Sequence, residues 1–218
     1  LAVAGGGGLA APRATPALLV CRRACAPLCA EPLPATERPA VAPPSCQPVA
    51  APHPATIAPE ELQKECDVRH TRGSGPGGQH RNKVSTAVVL THRPTQVSAS
   101  ASEERSQARN AANALQRLRL RLALDMRTDP PPTAPSGLWR RRAKGGKMSV
   151  SDTHADLPAL LAEALDWVWA IGDVKGASAA LGVSSSQLVR LLAKEAAALE
   201  RVNRLRASKG LGPLRNNR

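Results

Sequence analysis

Apolar side chains recur every three or four residues between positions 108 and 122, the spacing that aligns them on one face of an α-helix. Ser100 and Glu103 have the spacing of a capping box and are expected to start this helix. Pairs of arginines four residues apart predict a basic face on the same helix. The apolar stripe consists of Ala108, Ala111, Leu115, Leu118 and Leu122.

Shorter patterns on the N-terminal side of this helix predict strands. From 97 to 101 apolar residues alternate with serines, which is the period of a half-buried strand. Pro94 suits the second position of a turn at 93–96, so residues 88–90 and 97–101 are expected to form a hairpin. The other predicted elements here are a short helix at 60–64, a strand at 66–71 and a helical turn at 82–87.

Further helices are predicted after residue 150. The first carries apolar residues at helical spacing from 157 to 168 and tolerates Pro158 in its first turn. The second runs from Asp173 to Gly182, and Ser184 caps the third. The corner between these two is typical of a helix-turn-helix, although helical bundles use the same corner. Because this segment has more acids than bases, a bundle is favoured.

The two ends of the chain differ from its middle. Residues 1–59 are rich in Ala and Pro, carry arginines before the first acid at Glu31, and lack apolar periodicity, which is typical of a disordered leader that targets a mitochondrion or a chloroplast. No stretch reaches the roughly 18 consecutive apolar residues that span a bilayer, so no membrane association is expected. The expected organisation is a leader at 1–59, a first domain at 60–127, a Pro-rich and Arg-rich linker at 128–150, a helical module at 151–200 and a basic tail at 201–218.

The charge of the chain indicates an anionic partner. The chain has a formal net charge of +13 and a pI near 10.7. Two basic blocks, at 140–147 and 201–218, contain no acidic residue. The chain has three Trp and no Phe or Tyr, which excludes readers of single-stranded RNA that stack bases on aromatic side chains. Binding is therefore expected to rely on phosphate contacts and shape. The residues of these blocks expected to contact RNA are Arg140, Arg141, Arg142, Arg204 and Arg206.

Residues 73–79, with the sequence GSGPGGQ, form a glycine loop with almost no side-chain surface. Its glycines allow close approach to a partner, and Pro76 restricts its shape. The glycine spacing formally matches a dinucleotide-binding loop, but no Asp or Glu lies between Asp67 and Glu103 to bind a ribose. A Walker loop is excluded because Gly-Lys followed by Ser or Thr is absent at the required offset. The loop is therefore expected to fit against a partner molecule.

Neither a metal nor a cofactor is expected. The cysteines and histidines around the glycine loop lack zinc spacing. His80 lies near Ser74, but no local carboxylate would orient it for a catalytic triad. Cys46 and Cys66 are irregularly placed, which favours free thiols in a reducing compartment.

Many residues around the glycine loop occur at fixed offsets. The pattern is R-x-S-G-P-G-G-Q-H-x-N-K from position 72, S-T-A-V from 85, T-H-x-P-T from 91 and E-R-S-Q from 104. This combination, from about residue 60 to 127, resembles the catalytic domain of class I peptide chain release factors. Two residues depart from the family pattern: Gln96 replaces a turn Gly, and Arg81 replaces a small or apolar residue. Neither change removes a catalytic group.

The resemblance implies a small β-α-β-β-α domain, called the GGQ domain below. The expected fold class is α+β, with this domain followed by a separate small all-α helical module. In the family the loop enters the peptidyl transferase centre of the large ribosomal subunit, where the peptidyl-tRNA ester is hydrolysed. The backbone amide at Gln79 would stabilise the transition state or leaving group, and its side chain would limit the nucleophile to water. This glutamine is commonly methylated in the family, which implies a methyltransferase that acts on Gln79.

The resemblance also assigns roles to individual residues of the loop and its surroundings. The catalytic residues would be Gly77, Gly78 and Gln79, because a backbone N–H can face developing negative charge without a pKa to tune. Flanking cations would hold the backbone on rRNA phosphates. The predicted RNA contacts near the loop are Arg72, His80, Arg81, Lys83, Arg105 and Arg109.

Release factors that read stop codons carry an additional decoding domain, which neither the leader nor residues 128–218 are expected to supply. The expected function is therefore codon-independent hydrolysis of peptidyl-tRNA by a monomer, in the rescue of stalled organellar ribosomes. Its partners would be large-subunit rRNA, peptidyl-tRNA and, for the basic tail, the empty mRNA channel of the small subunit. Two alternatives stay open: a non-catalytic rRNA-binding protein, and nucleic-acid binding through the helix-turn-helix-like corner.

Overall fold

The computed structural model describes residues 46–72 and 85–215. The predicted α+β class is confirmed. The strands are β1 (Gln47–Val49), β2 (Cys66–Thr71), β3 (Ala87–His92), β4 (Ser98–Ala101), β5 (Met126–Thr128), β6 (Ala143–Lys144) and β7 (Lys147–Met148). The helices are a 3-10 turn (Pro54–Thr56), α1 (Pro59–Lys64), α2 (Gln107–Asp125), α3 (Gly137–Arg142), α4 (Leu157–Ile171), α5 (Val174–Ala180), α6 (Ser185–Leu192) and α7 (Ala196–Ser208).

The main sheet has the order β2-β3-β4 and is antiparallel throughout. In its centre Leu90 lies opposite Val68 on one side and Ala99 on the other. β4 alternates exposed serines with buried alanines, so the predicted hairpin and its period are confirmed. α2 packs on β3 and β4, which buries the apolar face of the sheet.

The turn between β3 and β4 holds Gln96 at a φ of 57°. This left-handed region costs a residue with a Cβ about 1–2 kcal/mol, which explains why Gly is usual at this position in the family. Two hydrogen bonds hold the turn: the Gln96 main-chain N–H donates to the His92 carbonyl at 2.8 Å, and its side chain donates to the Arg93 carbonyl at 2.7 Å. The departure from the family pattern is therefore accommodated by local contacts.

α2 begins later than its predicted capping box. Its N-cap is Ser106, whose hydroxyl accepts from the Arg109 main-chain N–H at 3.5 Å. The prediction of Ser100 as the cap is wrong, because Ser100 belongs to β4 and pairs with Val89 of β3. Ala108 is exposed, so the buried stripe is rotated from the predicted one. Its most buried members are Asn110, Ala114, Leu118 and Leu122.

The segment before α1 is part of the fold, although the sequence assigned it to the leader. β1 pairs in parallel with β5, with Gln47 opposite Met126. Between β1 and α1, Ala55 is fully buried, and its carbonyl accepts a hydrogen bond at 3.1 Å from the buried guanidinium of Arg119 in α2. A three-residue strand that contains a proline has no detectable periodicity, so sequence analysis missed it. Residues 47–59 therefore belong to the folded unit.

Residues 128–150, predicted to be a linker, form a helix and a hairpin. Ser136 caps α3, and Trp139 within it is 1% exposed, with its indole N–H donating to the Leu181 carbonyl at 2.9 Å. β6 and β7 pair across Gly145 and Gly146, which both have the positive φ that a two-residue primed turn requires. The buried Trp fixes this segment against the C-terminal helices.

The predicted starts of the C-terminal helices are confirmed. α4 has Pro158 in its first turn and ends at Gly172, which has a φ of 77°. Asp173 caps α5 with its carboxylate, and Ser184 caps α6 through a hydrogen bond from the Gln187 N–H at 3.3 Å. Local capping chemistry is therefore sufficient to place these helices. No helix within the two described ranges is long and apolar enough to cross a membrane.

The C-terminal helices share one hydrophobic core with the sheet. α4 packs along α2, and Leu118 and Leu122 of α2 belong to the same buried cluster as Leu160 and Leu165 of α4. The residues from 201 to 208, predicted to be part of a basic tail, instead continue α7, in which Val202 is fully buried. The helical module is therefore attached to the GGQ domain through side-chain packing.

His53 makes the fold sensitive to pH. Its Nδ1 accepts from the Ala55 N–H at 3.0 Å, and its Nε2 lies 3.4 Å from the Met126 carbonyl, so the ring is neutral in this arrangement. Burial lowers the pKa of His53 below its ordinary value of 6.5, partly offset by the charge of Asp166. The unfolded state therefore binds a proton more readily than the folded state, and stability is lost as pH falls below about 6.5.

We expect urea unfolding of the wild type to show a larger loss of stability between pH 7.5 and 5.5 than unfolding of His53→Gln. The glutamine cannot take up the proton, so the difference between the two pH profiles isolates this histidine from all carboxylates that titrate in both proteins. Parallel profiles would show that the His53 ring does not titrate differently on unfolding.

Candidate functional site

The sheet fixes both ends of the glycine loop. Thr71 at the end of β2 lies opposite Ala87 at the start of β3, so the chain leaves and returns on neighbouring strands. Arg72, the last described residue before the loop, is exposed. Residues 82–84 of the predicted helical turn at 82–87 lie outside the described residues, and residues 85–87 are not helical, since Ala87 begins β3. Also outside the described residues lie the predicted catalytic residues Gly77, Gly78 and Gln79 and the predicted RNA contacts His80, Arg81 and Lys83.

Asn110 holds the returning end of the loop. This side chain, fully buried on α2, donates from its amide nitrogen to the Thr86 carbonyl at 2.8 Å and to the Glu104 carbonyl at 2.9 Å. Its amide oxygen accepts from the Glu104 N–H at 2.9 Å. All its side-chain hydrogen-bonding groups are used, as a buried amide requires. Asn110 therefore ties the chain that leaves the loop to the β4–α2 connection.

A second contact holds the other end of the loop. The side chain of Gln107, the first residue of α2, lies 2.6 Å from Nδ1 of His70, near the end of β2. His70 lies three residues before Gly73, the first residue of the loop. Described residues on both sides of the loop, His70 and Thr86, are thus attached to the first turns of α2.

Arg105 and Arg109 lie at the same end of the domain as the loop. Arg105 is exposed in the β4–α2 connection, next to the Glu104 backbone that Asn110 holds. The Arg109 side chain is 76% exposed, with Glu104 at 3.8 Å, a distance at which a surface ion pair contributes little. The structure therefore brings Arg72, Arg105 and Arg109 together around the base of the loop, where they can face an anionic partner.

The arginines farther along α2 have structural contacts. Arg117 donates to the Ser100 carbonyl and to Glu103, both within 2.9 Å, and Arg121 donates to the Ser98 carbonyl. The hydrogen bond from Arg117 lowers the pKa of the exposed Glu103. These arginines tie α2 to β4, so the predicted basic face is free only at its N-terminal end.

A buried polar cluster beneath the helices was not predicted. The guanidinium of Arg127 donates to the carbonyls of Ala123 and Leu124 at 2.9 Å, and so supplies hydrogen-bond donors to carbonyls in the last turn of α2. The same guanidinium lies 4.6 Å from the centre of the Trp169 ring. Asp166 of α4 accepts from the Thr128 hydroxyl at 2.6 Å. Burial lowers the pKa of Arg127, with nearby acids offsetting this. The cluster joins α2 to α4 away from the loop, so its role is structural.

The predicted RNA contacts of α3 separate into two groups. Arg140 and Arg141 are exposed in the last turn of this helix. Arg142 is half-buried and donates to Asp156 at 2.6 Å, with His154 at 2.8 Å. Arg140 and Arg141 are therefore available to a partner, whereas Arg142 holds the hairpin segment to the start of α4.

Arg204 and Arg206 do not lie in a free tail. Both are on α7, where Arg204 pairs with Glu200 one turn earlier and Arg206 lies 3.6 Å from Asp173. After this helix the chain turns back, and Leu214 exchanges two hydrogen bonds with the side chain of Asn203, at 2.7 and 3.2 Å. The structure places the chain up to residue 214 against α7.

The RF-1 family model matches residues 56–151, which include the three-stranded sheet and α2. The chain is 50% identical over 60 residues to the chloroplastic peptide chain release factor PrfB1 of Arabidopsis thaliana. It is 47% identical over 60 residues to peptide chain release factor 2 of Paramagnetospirillum magneticum, and 40% identical over 74 residues to peptide chain release factor 1 of Leptospira biflexa.

Residues 56–151 are therefore an RF-1 domain, which this chain shares with class I peptide chain release factors. The family resemblance found in the sequence is thereby confirmed, and it relates the chain to translation termination. The matched segments cover 28–31% of this chain and only 13–21% of these relatives.

In the described part of the chain, no group of three or more His, Cys, Asp or Glu side chains could hold a metal ion.

Proposed function

We propose that this protein hydrolyses the ester bond of peptidyl-tRNA on the ribosome, without reading a codon, and so releases peptides from stalled organellar ribosomes. The observation that carries the proposal is the RF-1 domain with an intact Gly77-Gly78-Gln79 sequence. The anchoring of both loop ends to α2, through Asn110 and Gln107, supports it, because a loop that acts inside another particle needs a rigid base.

The chemistry requires a positioned water and a donor aimed at developing negative charge. The Gln79 backbone N–H would supply the donor, and its side chain would restrict the nucleophile to water. Gly77 and Gly78 would let the N–H approach the ester without a Cβ in the way. Peptidyl-tRNA is thus the substrate and large-subunit rRNA the surrounding surface, contacted by Arg72, Arg105 and Arg109. A methyltransferase that modifies the Gln79 amide is a further proposed partner.

The proposal of codon independence is supported by the described segments that flank the sheet. The 3-10 turn packs against both α2 and α4, and the helices after residue 150 share the hydrophobic core of the sheet. In the described part of the chain these flanking segments are therefore used to complete one core. The organellar location is supported by the composition of residues 1–46 and by similarity to a chloroplastic release factor.

The proposal predicts that release depends on the state of the mRNA channel. We expect purified protein to release peptide faster from ribosomes whose mRNA ends in the P site than from ribosomes whose mRNA continues past the A site. In a codon-independent mechanism the protein would occupy space that mRNA past the A site fills. The measurement is the rate of peptide release from each complex with the same peptidyl-tRNA.

Equal rates from the two complexes would contradict use of an empty channel. No release from either, with ribosome binding retained, would instead support a docking protein without catalytic activity. Addition of free puromycin at the end of each reaction shows that the peptidyl-tRNA was competent for release.

A further inference from the structure

We propose that the β6–β7 hairpin and α6 form a second nucleic-acid surface, which binds the phosphate backbone of double-stranded RNA. Its cations are Lys144 and Lys147 of the hairpin and Arg190 of α6, all of them exposed. Only the choice of RNA over DNA rests on the proposed ribosomal function. We call the surface formed by these three residues the hairpin–α6 surface.

The hairpin places two like charges directly opposite each other. Lys144 and Lys147 are partners in register across the Gly145–Gly146 turn, and neither forms an ion pair with an acidic side chain in the described part of the chain. Like charges opposite each other destabilise a two-stranded ribbon. The turn geometry fixes this register, so the repulsion persists in the free protein. A phosphate between the two ammonium groups would remove it.

The hairpin is attached to the start of α6. The Gly146 carbonyl accepts from the N–H of Ser184, the N-cap of α6, at 3.1 Å. Immediately after the hairpin, Met148 and Val150 line a groove together with Arg190 and Lys194. Lys194 is paired with Asp152, whereas Arg190 is exposed. The hairpin lysines and Arg190 therefore belong to one continuous surface.

The geometry favours contact with a duplex backbone over insertion into a groove. Helix-turn-helix proteins place the first residues of the recognition helix against base edges. Here the Ser185 hydroxyl is bonded to Ser178 at 2.8 Å, and residues 213–215 line a groove beside Ser185 and Ser186. The start of α6 therefore lies between the tip of the hairpin, which contacts its N-cap, and residues 213–215. The hairpin lies beside this end through the Gly146 carbonyl, whereas Arg190 lies in the last turn of α6. Cations outside the first turn of α6 suit the phosphates of A-form RNA, whose major groove is too narrow for side chains.

The test is binding of the full chain to a duplex RNA of about 20 base pairs, measured by fluorescence anisotropy over a range of salt concentrations. We expect the triple variant Lys144→Gln, Lys147→Gln, Arg190→Gln to bind at least tenfold more weakly, with a salt slope reduced by about 0.9 for each phosphate that is no longer neutralised. Lys175→Gln is the charge control, because Lys175 is exposed on α5 outside this surface. The triple variant should unfold at an equal or higher urea concentration, since the repulsion between its hairpin lysines is removed.

An unchanged affinity and salt slope in the triple variant would overturn the proposal. Tighter binding to DNA duplex of the same sequence would overturn the assignment to RNA. Peptide release provides an independent readout: the triple variant should need more protein for half-maximal release but reach the same maximal rate. If the wild type binds duplex RNA and releases no peptide, the proposed function fails and this surface stands.

Discussion

Replacement of Gly78 with alanine is expected to lower the rate of peptide release on the ribosome by about 10²–10³-fold, the loss typical when one backbone or amide donor to a developing oxyanion is misplaced. The added Cβ would restrict the backbone next to Gln79 and stand between its N–H and the ester. The measurement is single-turnover release at saturating protein. Ribosome binding should change little, because the proposed phosphate contacts are retained.

Gly137→Ala is the matched control for this substitution. Gly137 is the first residue of α3, and a Cβ added there would have no heavy atom within 4 Å. Its variant should release peptide at the wild-type rate. Wild-type release by Gly78→Ala would remove the glycine loop from the mechanism and favour a docking role for it.

Replacement of Asn110 with aspartate is expected to destabilise the fold by about 3 kcal/mol, a magnitude typical of a buried polar group that loses its partner. The amide nitrogen of Asn110 donates to two carbonyls, those of Thr86 and Glu104. A carboxylate oxygen in the same place would instead repel both carbonyl oxygens. Urea unfolding gives the change in stability. Because Thr86 leads out of the loop region, release should also slow at temperatures where the variant is folded.

Asn113→Asp provides the control on the same helix. Asn113 is exposed three residues later, so this variant has the same change of charge without a buried partner to lose. We expect its stability to stay within about 0.5 kcal/mol of the wild type. If Asn110→Asp were as stable as Asn113→Asp, the three hydrogen bonds of Asn110 would not hold the base of the loop.

The local elements were predictable because their signals are local. The alternation of serines and alanines in β4 and the caps at Asp173 and Ser184 depend on neighbours within a few residues, and the structure reproduces them. The prediction of Ser100 as a cap failed for a related reason. A capping box and a strand end can share a residue type, and pairing of Ser100 with Val89 in the other strand of the hairpin decided between them.

The polar core was not predictable in this way. Arg119 and Arg127 resemble the solvated arginines of a basic helix face, yet both are buried, with carbonyl partners such as Ala55 and Ala155 for Arg119. Asn110 likewise gains its role from Thr86, 24 residues earlier. These partners come from distant segments, so no spacing rule along the chain identifies them.

The prediction of a basic tail at 201–218 rested on composition, although the apolar periodicity of the same segment predicts a helix. Ala198, Val202 and Leu205 recur at helical spacing and are the buried residues of α7, so the signal for a helix was present within the segment. The six basic residues between 201 and 218 instead predicted a solvated tail. The prediction that Arg204 and Arg206 contact RNA depended on a free tail. Both side chains have acidic neighbours in the structure.

The packing of α4 against α2 has a consequence for how the protein would select its target. Leu118, Leu122, Leu160 and Leu165 are almost fully buried in one cluster, so no free hinge separates the base of the glycine loop from the hairpin–α6 surface. Two attachment points at a fixed distance bind jointly without loss of linker entropy, but only to a particle whose own sites have the same spacing. Discrimination between ribosomes would then arise from this distance, even where the local RNA chemistry is identical.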